Sequence, residues 1–118
     1  MQYILLIYAS EAMQAKRSEA ENHAVFGGYM DFTQSIKQSA HYVAGEPLEK
    51  SGTATTVRVK DGKTLRTDGP FAETREQLGG FYIVEAKDLD EAVAIAARIP
   101  DAKGGSIEIR PVMKIPGM

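Results

Sequence analysis

The residues best suited to chemistry by type and spacing lie between Thr67 and Leu78, in the segment TDGPFAETREQL. Asp68 precedes a Gly-Pro turn, and Glu73 follows it in a charged run. Two positioned carboxyl groups are what general acid/base catalysis requires. Asp68 and Glu73 are therefore the candidate catalytic residues, and Phe71 between them is a candidate ligand contact.

Each carboxylate also has a structural interpretation. Asp68 can form an Asx turn by accepting backbone N–H groups, and Glu73 can pair with Arg75 on one solvated turn. The length of the connection favours function instead. Roughly a dozen residues separate Thr67 from the apolar run at Phe81, whereas a simple reversal needs about two to five. Both interpretations of Asp68 stay open.

Other side chains give weaker signals. Tyr29 and Tyr82 either pack in the core or line a pocket, and Arg58 either projects from an edge strand or binds an anionic ligand. His23 and His41 are far apart and lack metal-ligand spacing, so structural roles are expected for both. With no Cys there is no thiolate nucleophile or Cys zinc site. We predict neither a metal nor a cofactor.

The composition is typical of one soluble domain spanning residues 1–118, with 43% hydrophobic and 25% charged residues. The net charge is -2, and its basic residues are interleaved with acidic ones, which argues against nucleic acid or anionic membrane as a partner. The longest apolar run, Tyr3 to Ala9, is far shorter than the ~18 residues that span a bilayer. We expect a cytoplasmic protein.

Five segments predict extended structure. QYILLIYAS and GGFYIVEA are apolar at both odd and even positions, as expected of central strands. TATTVRVKDGKTLRT predicts a hairpin around Asp61-Gly62, a strong type I′ turn signal. YVAGEPL reads as a short extended piece, and SIEIRPVM alternates as a strand with one solvated side.

Two segments predict helices. From about Ser18 to Ala40, apolar residues recur at helical spacing (Val25, Tyr29, Phe32 and Ile36). Asp88, three residues before Glu91, begins a second helix that Pro100 closes.

The order of elements predicts an α+β, ferredoxin-like βαββαβ domain with an added β-hairpin and an antiparallel sheet. Two helices can cover only one face of that sheet, yet its central strands are apolar on both. A second copy of the chain would cover the other face, so we expect a homodimer that forms a dimeric α/β barrel.

Several stretches together resemble the DGPF group of the YCII-related proteins: QYILLIYAS, VAGEPL, the region from ATTVRVKDGKTLRTDGPF to AIAARIP, and SIEIRPVM. The resemblance implies a ferredoxin-like dimeric barrel with a cleft beside the DGP turn, where enzymatic activity is suspected. It also implies a regulatory partner related to extracytoplasmic-function sigma factors. Relatives pair the Asp of this motif with a helix His, but the matching position here is Gly28.

Three functions are consistent with these observations. The first is a small cofactor-free enzyme using acid/base chemistry on a small molecule in a hollow between helix and sheet. The alternative is a non-catalytic dimer that binds a ligand or a sigma-factor-related protein. A cofactor-free monooxygenase is the third and rests on fold analogy.

Overall fold

The computed structural model describes residues 1–118 and contains six strands and three α-helices. A four-stranded antiparallel sheet has the strand order β2-β5-β1-β6, and β3 and β4 form a separate two-stranded sheet. The elements are β1 (Gln2–Ala9), α1 (Glu11–Gln14), α2 (Glu19–Gln38), β2 (Tyr42–Pro47), β3 (Thr55–Lys60), β4 (Lys63–Asp68), β5 (Gln77–Glu85), α3 (Leu89–Ala96) and β6 (Ser106–Pro111). The α+β, ferredoxin-like prediction is confirmed.

The two doubly apolar segments form the central strands, as the sequence predicts. β1 pairs antiparallel with β5 on one side and β6 on the other, and β2 completes the opposite edge. The inner face of the sheet buries Leu5 and Val84 completely, together with Ile36 of α2 and Ile99 after α3. These aliphatic side chains form the centre of a single core between sheet and helices.

Capping residues fix where the helices begin. The Ser18 hydroxyl accepts from the Glu21 N–H, and the Glu21 carboxylate accepts from the Ser18 N–H, which completes a capping box. Asp88 caps α3 through the Glu91 N–H, as predicted. The short helix α1 is not predicted, because four residues are too few to show helical periodicity. No helix is long and apolar enough to cross a membrane.

The outer face of the sheet carries an apolar stripe that no element of the chain covers. Cross-strand neighbours on this face are Ile4 with Ile83 and Leu6 with Phe81. These four side chains are partly exposed, while their neighbours along each strand are buried. The molecule is only 18 Å thick along its shortest axis, which is the depth of one helix layer on one sheet.

The predicted hairpin is present and projects from the body; we call residues 55–68 the arm. Its turn has φ values of 51° at Asp61 and 75° at Gly62, the left-handed pair that a type I′ turn requires. The six residues of β4 are all exposed, and β3 and β4 pair only with each other. The arm thus contributes nothing to the core of its own chain.

Candidate functional site

A cleft of about 410 Å³ lies between α2 and the inner face of β2 and β5. Its walls are mainly apolar: Phe26 and Met30 of α2 face Tyr82 of β5 and the segment ending at Leu48. Phe26 and Met30 remain 65% and 58% exposed because they stand at the open mouth. A concave, mostly apolar cavity of this size is typical of a small-molecule site.

Glycines on the sheet create the space for this cleft. Gly45 of β2 and Gly80 of β5 both line it, where other residues would project side chains toward α2. A Cβ on Gly45 would lie 2.7 Å from Cδ1 of Tyr82, and a Cβ on Gly80 would lie 3.0 Å from the Glu46 carbonyl oxygen. Both positions therefore require glycine if Tyr82 and the β2–β5 pairing are to stay in place.

The strongest polar group in the cleft wall is the Asp101 carboxylate, in a short 3₁₀ turn after α3. Asp101 is 8% exposed. The Tyr29 hydroxyl donates to its Oδ2 at 2.6 Å, and Arg17 Nη2 donates to its Oδ1 at 3.2 Å. A buried carboxylate with two donors is held in one position, so the cleft contains a fixed negative charge.

The environment of Tyr29 keeps its hydroxyl protonated. Burial is the main cause that raises the Tyr29 pKa well above its usual range, and the hydrogen bond and negative charge of Asp101 raise it further. The Tyr29 proton is committed to Asp101, and this leaves the oxygen lone pairs available to accept a hydrogen bond from a ligand.

A second hydroxyl pair faces the same cleft. The Tyr82 hydroxyl lies 2.6 Å from Thr33 Oγ1, and the Tyr82 ring packs edge-on against Phe32 with centroids 5.2 Å apart. Burial raises the Tyr82 pKa, and the Thr33 hydrogen bond partly offsets this effect. The two tyrosines give the cleft two neutral hydroxyl groups in otherwise apolar walls.

Hydrogen bonds to Glu11 hold α1 in place at the mouth of the cleft. The Ser51 backbone N–H and hydroxyl donate to the Glu11 carboxylate oxygens at 2.8 and 2.6 Å. These hydrogen bonds, with a smaller contribution from the Lys50 charge, lower the Glu11 pKa. The Glu11 N–H donates to Gln77 Oε1 at 2.9 Å, so this short helix is tied both to the segment after β2 and to the start of β5.

Only two of the sequence-predicted site residues line this cleft. Tyr29 and Tyr82 do, whereas Asp68, Phe71, Glu73 and Arg58 lie on the arm or on the connection after it. Phe71 is 80% exposed, so it is not packed against its own chain as an anchor.

The structure brings Asp68 neither to the cleft nor into an Asx turn. Asp68 is the last residue of β4, opposite Thr55, and no hydrogen bond to its carboxylate is present. The turn after it is held instead by the Thr56 hydroxyl, which donates to the Gly69 carbonyl at 2.8 Å. The functional roles of Asp68 and Glu73 remain predictions.

The two histidines lie outside the cleft. His23 is exposed on α2, and the His41 ring lies 2.7 Å from Ser39 Oγ and 3.3 Å from Glu91 Oε1. The His41 backbone N–H donates to the Ile36 carbonyl at the end of α2. No group of three or more potential ligand side chains is placed to hold a metal ion.

No sequence pattern identifies Asp101 as a site residue. A short turn shows no hydrophobic periodicity that would reveal a buried carboxylate, and the polar residues of IPDAKGG are typical of an ordinary connection between a helix and a strand. The one usable signal is Gly105, where a Cβ would lie 2.7 Å from the Asp101 carbonyl oxygen. A glycine required by close approach marks a tightly folded turn, although it does not reveal which side chain the turn presents.

Comparison with known proteins agrees with this fold. The model of the YCII-related domain matches residues 1–116. An uncharacterised protein of Rhizobium meliloti (strain 1021) is 33% identical over 114 residues, which is 95% of this chain and 92% of the relative. The protein therefore belongs to the YCII-related family.

Proposed function

We propose that this YCII-related protein is a homodimer that binds a small molecule between α2 and the sheet, and acts on it by acid/base chemistry without a metal or organic cofactor. The observation that carries the proposal is the 2.6 Å hydrogen bond from Tyr29 to Asp101 in the wall of a largely apolar cleft. Apolar walls with a few convergent polar groups are the usual make-up of such sites.

The cleft favours a flat, mainly apolar or aromatic molecule that carries at least one hydroxyl or N–H group. Aromatic and aliphatic side chains supply the contact area, and Tyr29 and Tyr82 are neutral hydroxyl groups that can accept from the ligand. The Asp101 charge is balanced by Arg17, but the lining also contains Glu11 and Glu46 against Lys50 alone, which disfavours an anionic ligand.

Asp101 is assigned as the proton acceptor of the proposed chemistry. Its carboxylate is the acidic group of the cleft wall that is held in place by both a tyrosine and an arginine. A positioned carboxylate is a standard general base. The sequence candidates Asp68 and Glu73 lie outside the cleft of their own chain, so they have no part in this assignment.

The dimer in this proposal is supported by the uncovered outer face of the sheet. Packing Ile4, Leu6, Phe81 and Ile83 against the same residues of a second copy would remove this apolar stripe from water. A two-fold arrangement is self-complementary, so one patch serves both subunits.

A thermal-shift screen with small neutral aromatic compounds tests the proposed binding. A ligand at 100 times its Kd stabilises by about 2.7 kcal/mol. The unfolding entropy expected for 118 residues is about 0.25 kcal/mol/K, so this corresponds to a Tm rise of about 11 °C.

Tyr29→Phe and Asp101→Asn should each reduce that shift, while Tyr8→Phe on the opposite face of the sheet should not. Turnover of the bound compound should be lost in Asp101→Asn. Ligand shifts that are equal in all three variants would mean that the cleft is not the binding site.

A further inference from the structure

The arm (residues 55–68) lacks a packing partner within its own chain. Val57 and Val59 are 59% and 71% exposed, although valine on a strand is normally at least half buried. Isolated two-stranded hairpins are marginally stable in water, and three strands or a packed face are needed for independent stability. The arm therefore needs a surface from outside its own chain.

The extended shape of the chain also indicates that the arm reaches away from its own core. The radius of gyration is 16.4 Å, whereas about 13.5 Å is expected for a compact domain of 118 residues. A strand rises about 3.3 Å per residue, so the six-residue strands of the arm extend it by about 20 Å. An extension of this length can reach across to another molecule.

The charge of the arm identifies what it fits. The arm carries four basic residues (Arg58, Lys60, Lys63 and Arg66) against Asp61 and Asp68, a formal charge of +2. The whole chain has a net charge of -2, so the rest of the molecule carries -4. Of the four basic residues, only Arg66 lies on the face of Val57 and Val59, together with Asp68, so the attraction to the acidic body of a second copy comes from the overall charge of the arm.

The arm is joined in sequence to a strand of the proposed dimer face. The chain leaves the arm through the connection that ends at Gln77, the first residue of β5, and β5 supplies Phe81 and Ile83 to the outer face of the sheet. Glu46 and Glu108 are paired with Phe81 and Leu6, so both acidic residues flank the apolar stripe. The outer face of a second copy therefore offers the arm both apolar and acidic side chains.

We propose that the arm of each protomer clasps a second copy of the chain. This proposal rests on the homodimer of the proposed function and adds a second contact to it. The contacting face of the arm is the one that presents Val57 and Val59, with Arg66 directly opposite Val57 in the pairing. The valines lose their exposure against the partner, and Arg66 meets the acidic surface of the partner.

Two sets of variants test the clasp by analytical ultracentrifugation of the full chain. Val57→Thr combined with Val59→Thr keeps β-branched shape and strand propensity but places hydroxyl groups in the contact. The dimer Kd should rise at least about tenfold, because each buried hydroxyl without a partner is unfavourable. The matched control is Leu65→Thr on the opposite face of the arm, which should leave the Kd within about twofold.

Hydrogen exchange of the arm amides gives an independent readout. The amides of β3 and β4 should be protected at concentrations where the dimer forms and should exchange faster on dilution to monomer, because a free hairpin opens readily. Equal exchange at both concentrations overturns the clasp.

The outcomes separate the clasp from the proposed function. A wild-type dimer whose Kd is unchanged by the two valine substitutions, or weakened only by Leu65→Thr, overturns the clasp and leaves the cleft function standing. A wild-type monomer at micromolar concentration overturns both the clasp and the dimer. Ligand binding in the cleft is measured separately by the thermal-shift screen.

Discussion

Removal of the Tyr29 hydroxyl should destabilise the fold measurably. Tyr29→Phe deletes the donor that lies 2.6 Å from Asp101 Oδ2 and leaves that buried carboxylate with Arg17 as its remaining side-chain donor. A hydrogen bond to a charged group contributes about 1.5–3 kcal/mol to stability. The free energy of unfolding should fall by about this amount in Tyr29→Phe.

The expected loss corresponds to a large change in Tm. At about 0.25 kcal/mol/K of unfolding entropy for 118 residues, a loss of 1.5–3 kcal/mol lowers Tm by about 6–12 °C. Tyr8→Phe is the matched control, because the Tyr8 hydroxyl makes no hydrogen bond within the chain and Tyr8 lies on the opposite face of the sheet from the cleft. Protein concentration must be equal for all variants, since oligomerisation shifts Tm by mass action.

A double-mutant cycle isolates the bond itself. Asp101→Ala removes the acceptor, and combining it with Tyr29→Phe should cost less than the sum of the single changes by about 1–3 kcal/mol. Chemical denaturation at fixed protein concentration gives the four free energies. Additive single effects, or a Tyr29→Phe loss below about 0.5 kcal/mol, would refute both the hydrogen bond and the polar centre built on it.

Three further predictions concern the cleft mouth, its floor and the outer face. The Glu11 pKa is lower in the folded state, so the stabilising effect of Glu11 is present above the unfolded pKa of about 4.3 and is lost as pH falls through the lower folded value. If the denaturation midpoint is plotted against pH, Glu11→Gln should reduce its fall at acidic pH. Gly45→Ala should displace the Tyr82 ring and lower the unfolding free energy by about 1–3 kcal/mol in chemical denaturation, whereas Ala at Gly52, where a Cβ meets no atom within 4 Å, should not. Leu6→Glu should yield monomers in sedimentation, because it places a charge in the apolar stripe that the two copies bury; a Leu6→Glu dimer with the wild-type Kd would contradict this.

The fold could be predicted because its signals are local and strong. Two segments that are apolar at both odd and even positions predict central strands, and β1 and β5 lie at the centre of the sheet. Asp61-Gly62 specified the hairpin turn through its backbone preference alone. Capping residues such as Ser18 bond to groups within three residues of the helix start, so the motif is visible as a short sequence pattern.

The cleft could not be predicted in the same way because its parts are distant in sequence. Asp101 meets Tyr29 across 72 positions, and Glu11 meets Ser51 across 40. Neither pair has a spacing that a linear pattern can reveal. Tyr29 and Tyr82 are candidates from the sequence and line the cleft, but only the fold shows that glycines on the strands leave an opening beside them.

The long connection between Thr67 and β5 has a physical explanation in the arm. Because the arm leaves the body and returns, the chain needs extra residues to re-enter the sheet beside β1. Gln77 joins this return path to the cleft: its Nε2 donates to the Thr74 carbonyl at 2.5 Å, and its Oε1 accepts from the Glu11 N–H at 2.9 Å. One amide side chain thus links the connection after the arm to the helix at the cleft mouth.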